Sequence, residues 1–134
     1  MADEQLVQGL VANTQGINGE RAQSPTFYSA SYANDALYHI MRVASSGKAR
    51  LTYGINNESS VNVLMTLYGA FSEDSEITAD DVFPIDDTGI TGASGGGKAY
   101  EVCSDPFPYF YIRTLAGATG DAGTVSIYAA LMAY

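Results

Sequence analysis

Tryptophan is absent from this chain, cysteine and histidine occur once each, and only six of its 134 residues are lysine or arginine. Each shortage removes a class of function. Phosphate neutralisation needs clustered cations, so six basic residues against fifteen acidic ones, a net charge of −9, argue against a nucleic-acid partner. The same balance argues against binding anionic membranes. The single cysteine, Cys103, excludes an internal disulfide, and one Cys with one His falls short of a zinc ligand set. His39 would have to serve any Ser–His–Asp triad, and no G-x-S-x-G elbow accompanies it. Without tryptophan, a sugar-hydrolysing cleft of paired carboxylates lined by stacking rings is disfavoured. No run approaches the ~18 apolar residues of a membrane-spanning helix. The opening MADEQLVQGLVANTQG has neither a basic n-region nor an apolar h-region, so no secretory signal is expected.

What remains is 46% hydrophobic residues and fourteen glycines in a length that fits one domain. Residues 1–25 mix short apolar words with Gln, Asn and Gly and read as an N-terminal arm; residues 26–134 read as the domain. TFYSASY alternates rings with small residues. ALYHIMRVA (Ala36–Ala44) fits both helical and strand spacing, and its strand-like neighbours favour strand. ARLTYGIN (Ala49–Asn56) and VNVLMTLYGAF (Val61–Phe71) carry period-two apolar faces across the turn residues NESS, the pattern of a β-hairpin. VFPIDD (Val82–Asp87) reads as a short edge strand, because Pro84 cannot donate to a ladder. TGITGASGGG (Thr88–Gly97) reads as a flexible connection. KAYEVCS, YFYIRTLAG and TVSIYAALMAY follow as strands. Seven or eight short strands with turns between them predict an antiparallel β-sandwich of jelly-roll or immunoglobulin-like type.

DPFPYFYIRTLAG (Asp105–Gly117) is the densest apolar stretch. Period two sends Phe110, Ile112 and Thr114 to the core and Tyr109, Tyr111 and Arg113 outward. The plain reading is a central strand with a proline lead-in; the outward Tyr/Arg face is the sharper one, since these residue types anchor interfaces. GASGGGKA has the letters of a phosphate loop, but Ala99 stands where Ser or Thr must hold magnesium and a strand follows in place of a helix. Cys103 beside Val102 reads as an inert buried thiol. Glu73, Asp74, Glu76, Asp80, Asp81, Asp86 and Asp87 fall within fifteen positions. Such a loop has the oxygen donors that calcium takes, although the EF-hand order is missing and acidic loops are usually just solvated.

The stretch from Ala49 to Tyr134, above all LTYGINNESSVNVLMTLYGA, DPFPYFYIRTLAG and TVSIYAALMAY, resembles the small β-sandwich virion proteins that decorate or cement tailed-phage capsids. The resemblance implies a non-enzymatic structural protein, made in a host cytoplasm and located on the virion. Its partners would be copies of itself and a major capsid or other scaffold protein, with no cofactor required. Arm residues Leu6, Val7, Leu10, Val11 and Ile17 would bury against a neighbour, and Tyr109, Tyr111 and Arg113 would add interface area. Two other readings stand beside it: a subunit of an extracellular fibre or surface layer built by strand addition, and a calcium- or carbohydrate-binding module using the acidic loop and the tyrosines.

Overall fold

Along Thr124–Met132 every second side chain is buried, Val125, Ile127, Ala129 and Leu131, while those between reach the surface. A strand with one face on a core produces that period, and it recurs along the chain. The computed structural model describes residues 10–11, 26–33, 38–45, 50–116 and 123–132. Among these there is no helix, and the strands are β1 (Leu10–Val11), β2 (Thr26–Ala33), β3 (Tyr38–Ala44), β4 (Arg50–Asn57), β5 (Val63–Ala70), β6 (Val82–Gly92), β7 (Gly97–Cys103), β8 (Tyr109–Ala116) and β9 (Thr124–Met132). They form two antiparallel sheets, β1-β2-β9-β4-β7 and β3-β8-β5-β6. The fold is the expected all-β sandwich. Its core packs Leu51, Tyr53 and Ile55 of β4 and the inward residues of β9 against Met65 and Leu67 of β5 and Phe110 and Ile112 of β8.

The ambiguous 36–44 segment contains strand β3, paired along its length with β8 from Tyr38 opposite Leu115 to Ala44 opposite Tyr109. Its ambiguity has a physical cause. Ile40 and Met41 point to opposite faces, yet both are buried, because this sheet is covered on both sides.

The expected hairpin between 49–56 and 61–71 does not form. β4 pairs with β7 and β9, and β5 with β6 and β8, so NESSVN carries the chain from one sheet to the other. The two apolar faces look at each other across the core. Asn57, fully buried, holds this corner. Its Nδ2 donates to the carbonyls of Val61 (2.7 Å) and Gly92 (2.8 Å), and its Oδ1 accepts from the Ser59 N–H (3.0 Å) and hydroxyl (2.6 Å). A side-chain amide thus satisfies backbone groups that a hairpin ladder would have paired.

The supposed flexible connection 88–97 is also mostly strand. β6 runs to Gly92, and only residues 93–96 link it to β7. Asp86 Oδ1 accepts from the Thr88 hydroxyl and the Gly89 N–H, both at 3.0 Å. This holds an irregular step in which Gly89 takes φ +74°, where a Cβ would lie 2.5 Å from the Met65 carbonyl oxygen. The ladder then resumes with Ile90 opposite Met65.

The proline lead-in to β8 has a packing role. Gly69 leaves the end of β5 bare, and the Phe107 ring lies over it, 2.3 Å from where a Cβ would stand. Phe71 (5.8 Å) and Phe110 (6.4 Å between centroids) flank that ring.

Candidate functional site

The two outer faces of the sandwich differ. Outside the four-stranded sheet, the loop between β5 and β6 folds back over β8. The expected exposed face of Tyr109, Tyr111 and Arg113 is therefore corrected: Tyr111 is fully buried, clustered with Ile40, Tyr68, Ala70 and Val82 beneath Ile77 and Ala79. Its hydroxyl donates to the Ser72 carbonyl (2.6 Å) and accepts from the Ser75 N–H (2.9 Å). The Arg42 guanidinium lies 4.8 Å from the centre of the Tyr111 ring and Nη2 donates to the Ser75 carbonyl (2.8 Å). Tyr109 is half-buried at the rim, and Arg113, also half-buried, lies over the Tyr68 ring at 5.3 Å.

The acidic loop is this cover. Asp81 Oδ2 accepts from the Ser72 hydroxyl, and from the Ser75 hydroxyl at 3.1 Å. The Ser72 bond is the main reason its pKa lies below the ordinary 3.8. No group of three or more His, Cys, Asp or Glu able to hold a metal occurs among the described residues. Glu73, Asp74, Glu76, Asp80, Asp81, Asp86 and Asp87 are thus not gathered into the calcium site considered for them. Asp81 ties the loop to itself, while Asp86 serves the bend in β6.

Of the arm residues, Leu6, Val7 and Ile17 lie outside the described residues. Leu10 and Val11 form β1, antiparallel to β2 with Leu10 opposite Phe27 and Val11 opposite Thr26.

Outside the five-stranded sheet nothing lies over the surface among the described residues. Tyr100 (72% exposed), Val102 (54%), Tyr128 (51%), Phe27 (41%) and Met132 (41%) all project from it. Register aligns Ser29, Tyr128, Gly54 and Tyr100 in one row across β2, β9, β4 and β7. Gly54 leaves the floor bare there; a Cβ would sit tightly, 3.1 Å from the Ala99 carbonyl oxygen and 3.3 Å from the Tyr100 Cβ. The bare floor between the rings is a trough of ≈ 470 Å³ running to Phe27 and Ala130, joined by one of ≈ 390 Å³ toward Asn56 and Lys98. The only acid on these four strands is Glu101, and its phase on β7 opposes that of Lys98, Tyr100 and Val102. In a chain of net charge −9, the strands turn no carboxylate onto this face among the described residues; Glu58, just beyond β4, reaches its end, where its Oε2 accepts from Asn56 Nδ2 (3.4 Å). Sequence reasoning missed these residues, although a signal existed: Tyr128 sits in the Thr124, Ser126, Ala130, Met132 phase of β9, where water-facing residues belong.

At the β6/β7 side, Glu101 accepts from the Tyr53 hydroxyl (2.7 Å) and is hydrogen-bonded to Asp86. The Asp86 contact raises the Glu101 pKa, and the same bond lowers that of Asp86. The pair spans the two sheets. His39 stacks on Tyr32, centroids 3.6 Å apart, clipping β3 to β2. Burial pushes the Tyr32 hydroxyl up to about 12 and raises the Cys103 thiol. A buried thiol held neutral fits the inert reading.

No family model matches the chain, and no curated protein does. Solved structures similar to it include Bacillus endospore appendages described as disulfide-linked pili (13% identity, TM-score 0.49, covering 90% of this chain and 97% of that one). Others are the pre-peptidase C-terminal domain of a Bacillus anthracis collagenase (13%, 0.47, 75% and 86%) and a CBM4 structure (9%, 0.45, 92% and 77%). The likeness is one of β-sandwich architecture and carries no function across.

Proposed function

We propose that the protein is a non-enzymatic assembly subunit, and that it works by having the outer face of its five-stranded sheet covered by another protein surface. The assembly in this reading is a virion shell, on which self-associated copies sit as decoration. The carrying observation is the open face itself: five large apolar side chains on strands that, among the described residues, turn no acid outward, in a strongly acidic chain. Contiguous apolar surface of this kind marks an interaction site, and exposed aromatic side chains are its usual anchors. Elsewhere the acids hold copies apart; here that repulsion is weakest. The virion setting, a host-cytoplasmic origin and a major capsid protein as partner are supported by the sequence resemblance alone.

Solution mass across a concentration series tests the reading, comparing the full chain with Y100K/Y128K. The full chain is expected to form species larger than a dimer that the double variant does not. Identical masses at every concentration would sink it. Electron microscopy of the larger species distinguishes shell-like or closed particles from the open filaments of a fibre subunit.

A second reading is favoured by one observation, the bare Gly54 floor between Tyr100 and Tyr128. Flat sugar rings fit such a trough by stacking on its aromatic sides. Titration with soluble glucans, followed by tyrosine fluorescence, decides it: saturable quenching that Y100A abolishes would favour polysaccharide binding.

A further inference from the structure

Large apolar side chains reach solvent in a second place, at one end of the sandwich. Phe71 (61% exposed) follows the last residue of β5, and Phe83 (45%) stands near the start of β6, opposite Gly69. With half-buried Phe107 their rings form a triangle. Phe71 meets Phe83 edge-on with centroids 5.8 Å apart, and Phe107 lies 5.8 Å from Phe71 and 6.3 Å from Phe83. The knob has a firm base. Phe107 leans on buried Phe110 and covers Gly69, and the Phe71 N–H donates to the Asp81 carbonyl (3.1 Å). Acid borders it: Asp81 through that bond, exposed Asp80 beside it in the chain, and exposed Asp105 two residues before Phe107.

The geometry points to a head-to-tail contact, in which the Phe71–Phe83–Phe107 knob of one copy enters the trough between Tyr100 and Tyr128 of the next. Size fits. An apolar cavity of about 150 Å³ holds one benzene-sized ring, so the ≈ 470 Å³ trough has room for both exposed phenylalanine rings. Ring chemistry fits as well, since aromatic pairs meeting edge-on or offset gain beyond the area they bury. Charge selects the pairing. The knob is bordered by acids, whereas Lys98 lines the trough and Arg50 lies on the same face, against one carboxylate, Glu58, at the Asn56 end. Knob on knob would set acid against acid, and trough on trough cation against cation; only knob on trough is complementary. Such a contact is heterologous. Each added copy keeps a free knob or trough for the next, so it builds a ring or a filament and does not stop at a dimer. The inference rests on the assembly reading above and names what covers its open face: a defined end of a second copy.

Solution mass of single and mixed variants tests it. F71S/F83S removes the exposed rings of the knob and leaves the trough; Y100K/Y128K spoils the trough and leaves the knob. Each alone should stay monomeric where the full chain assembles, with the F71S/F83S dissociation constant raised on the order of a hundredfold or more. Both phenylalanines are exposed, so the F71S/F83S thermal midpoint should stay close to the parent's. Mixed, the two variants should form a one-to-one heterodimer that grows no further, because only one intact knob and one intact trough can meet. A folding defect in either variant would not produce that species. K98E should weaken assembly about tenfold at low salt and less at high salt. F71S/F83S assembling as the full chain does would overturn the inference and give the trough to another part of the neighbouring copy. A mixture that stays monomeric, or K98E assembling as tightly as the parent at low salt, would also overturn it. In each of these cases the face reading stands if Y100K/Y128K still limits assembly. Assembly indifferent to Y100K/Y128K, or a full chain monomeric at every concentration, would overturn both.

Discussion

Replacing Tyr111 by Phe separates a buried latch from an interface anchor. The hydroxyl makes two bonds, to the Ser72 carbonyl at 2.6 Å and from the Ser75 N–H at 2.9 Å, on a side chain with no solvent exposure. The ring of Y111F keeps its packing, so the cost is polar. Two lost neutral hydrogen bonds at about 1 kcal/mol each, plus part of the desolvation of groups left unpaired, give about 2–3 kcal/mol. The loss is local first. Asp81 still ties Ser72 and Ser75, and Arg42 still holds the Ser75 carbonyl. Hydrogen exchange at the Ser75 amide should therefore accelerate about thirty- to a hundredfold, and urea unfolding should show the smaller stability. Self-association should be unchanged. A loss below about 0.5 kcal/mol with unaltered Ser75 exchange, or a change in mass without either, would refute the latch and return Tyr111 to the interface. Acid gives a second handle. Asp81 has a lowered pKa, so its contribution is present above 3.8 and disappears as pH falls through the lower folded value. The loop should open only in stronger acid than an unperturbed Asp would require, and D81N should remove that acid limb.

Three further outcomes follow from the packing. Asn57→Ala strips four hydrogen bonds, three of them buried, from the inter-sheet corner and should cost about 3–5 kcal/mol in urea unfolding; a loss under about 1 kcal/mol would mean the corner holds itself. Gly69→Ala forces the Phe107 ring off β5 and should cost about 1–3 kcal/mol, while in an F107A background the same change should cost much less, a non-additivity read from a double-mutant cycle. Glu101→Gln should raise the thermal midpoint at neutral pH: Glu101 has its pKa raised from 4.5, so its favourable protonated form is lost as pH rises through the folded value, whereas Asp86, lowered from 3.8, contributes above that pH. The amide keeps an acceptor for Tyr53 and a donor for Asp86, so the advantage should vanish near pH 4; an equal advantage at both pH values would contradict the raised Glu101 pKa.

Period two made the strands legible. Val125-Ile127-Ala129-Leu131 and Leu51-Tyr53-Ile55 announce inward faces that the structure shows. Pairing was not legible, because facing strands of a sandwich and neighbours in a hairpin carry the same alternation. Only the burial of Asn57 separates the two, and NESS looks the same as a solvated turn. The long β6 was hidden by Thr88 and Gly89, whose turn chemistry is absorbed by the Asp86 carboxylate inside a strand. For the candidate site, the outward phase of Tyr109-Tyr111-Arg113 was read correctly as a direction. What lay over it could not be, since the Ser72–Asp81 segment reads as polar loop and yet supplies Ile77 and Ala79 as a roof.

The roof bears on which face can work. A sandwich has two outer faces, and a monomer gains by covering either one with its own chain. Here the acidic segment closes the four-stranded side and concentrates carboxylates there, which makes that side a poor contact between copies of an acidic chain. Among the described residues no loop lies over the five-stranded side and its strands turn no acid outward, so Tyr100, Tyr128 and Phe27 are exposed. Burying such side chains is worth roughly 1.5–3 kcal/mol each, a gain that a partner can supply. The position of negative charge thus selects the contacting face as much as the aromatic residues do. Arg50 and Lys98 lie on that same face. A partner presenting carboxylates near them therefore gains attraction, and high salt should weaken such a contact while leaving a purely apolar one intact.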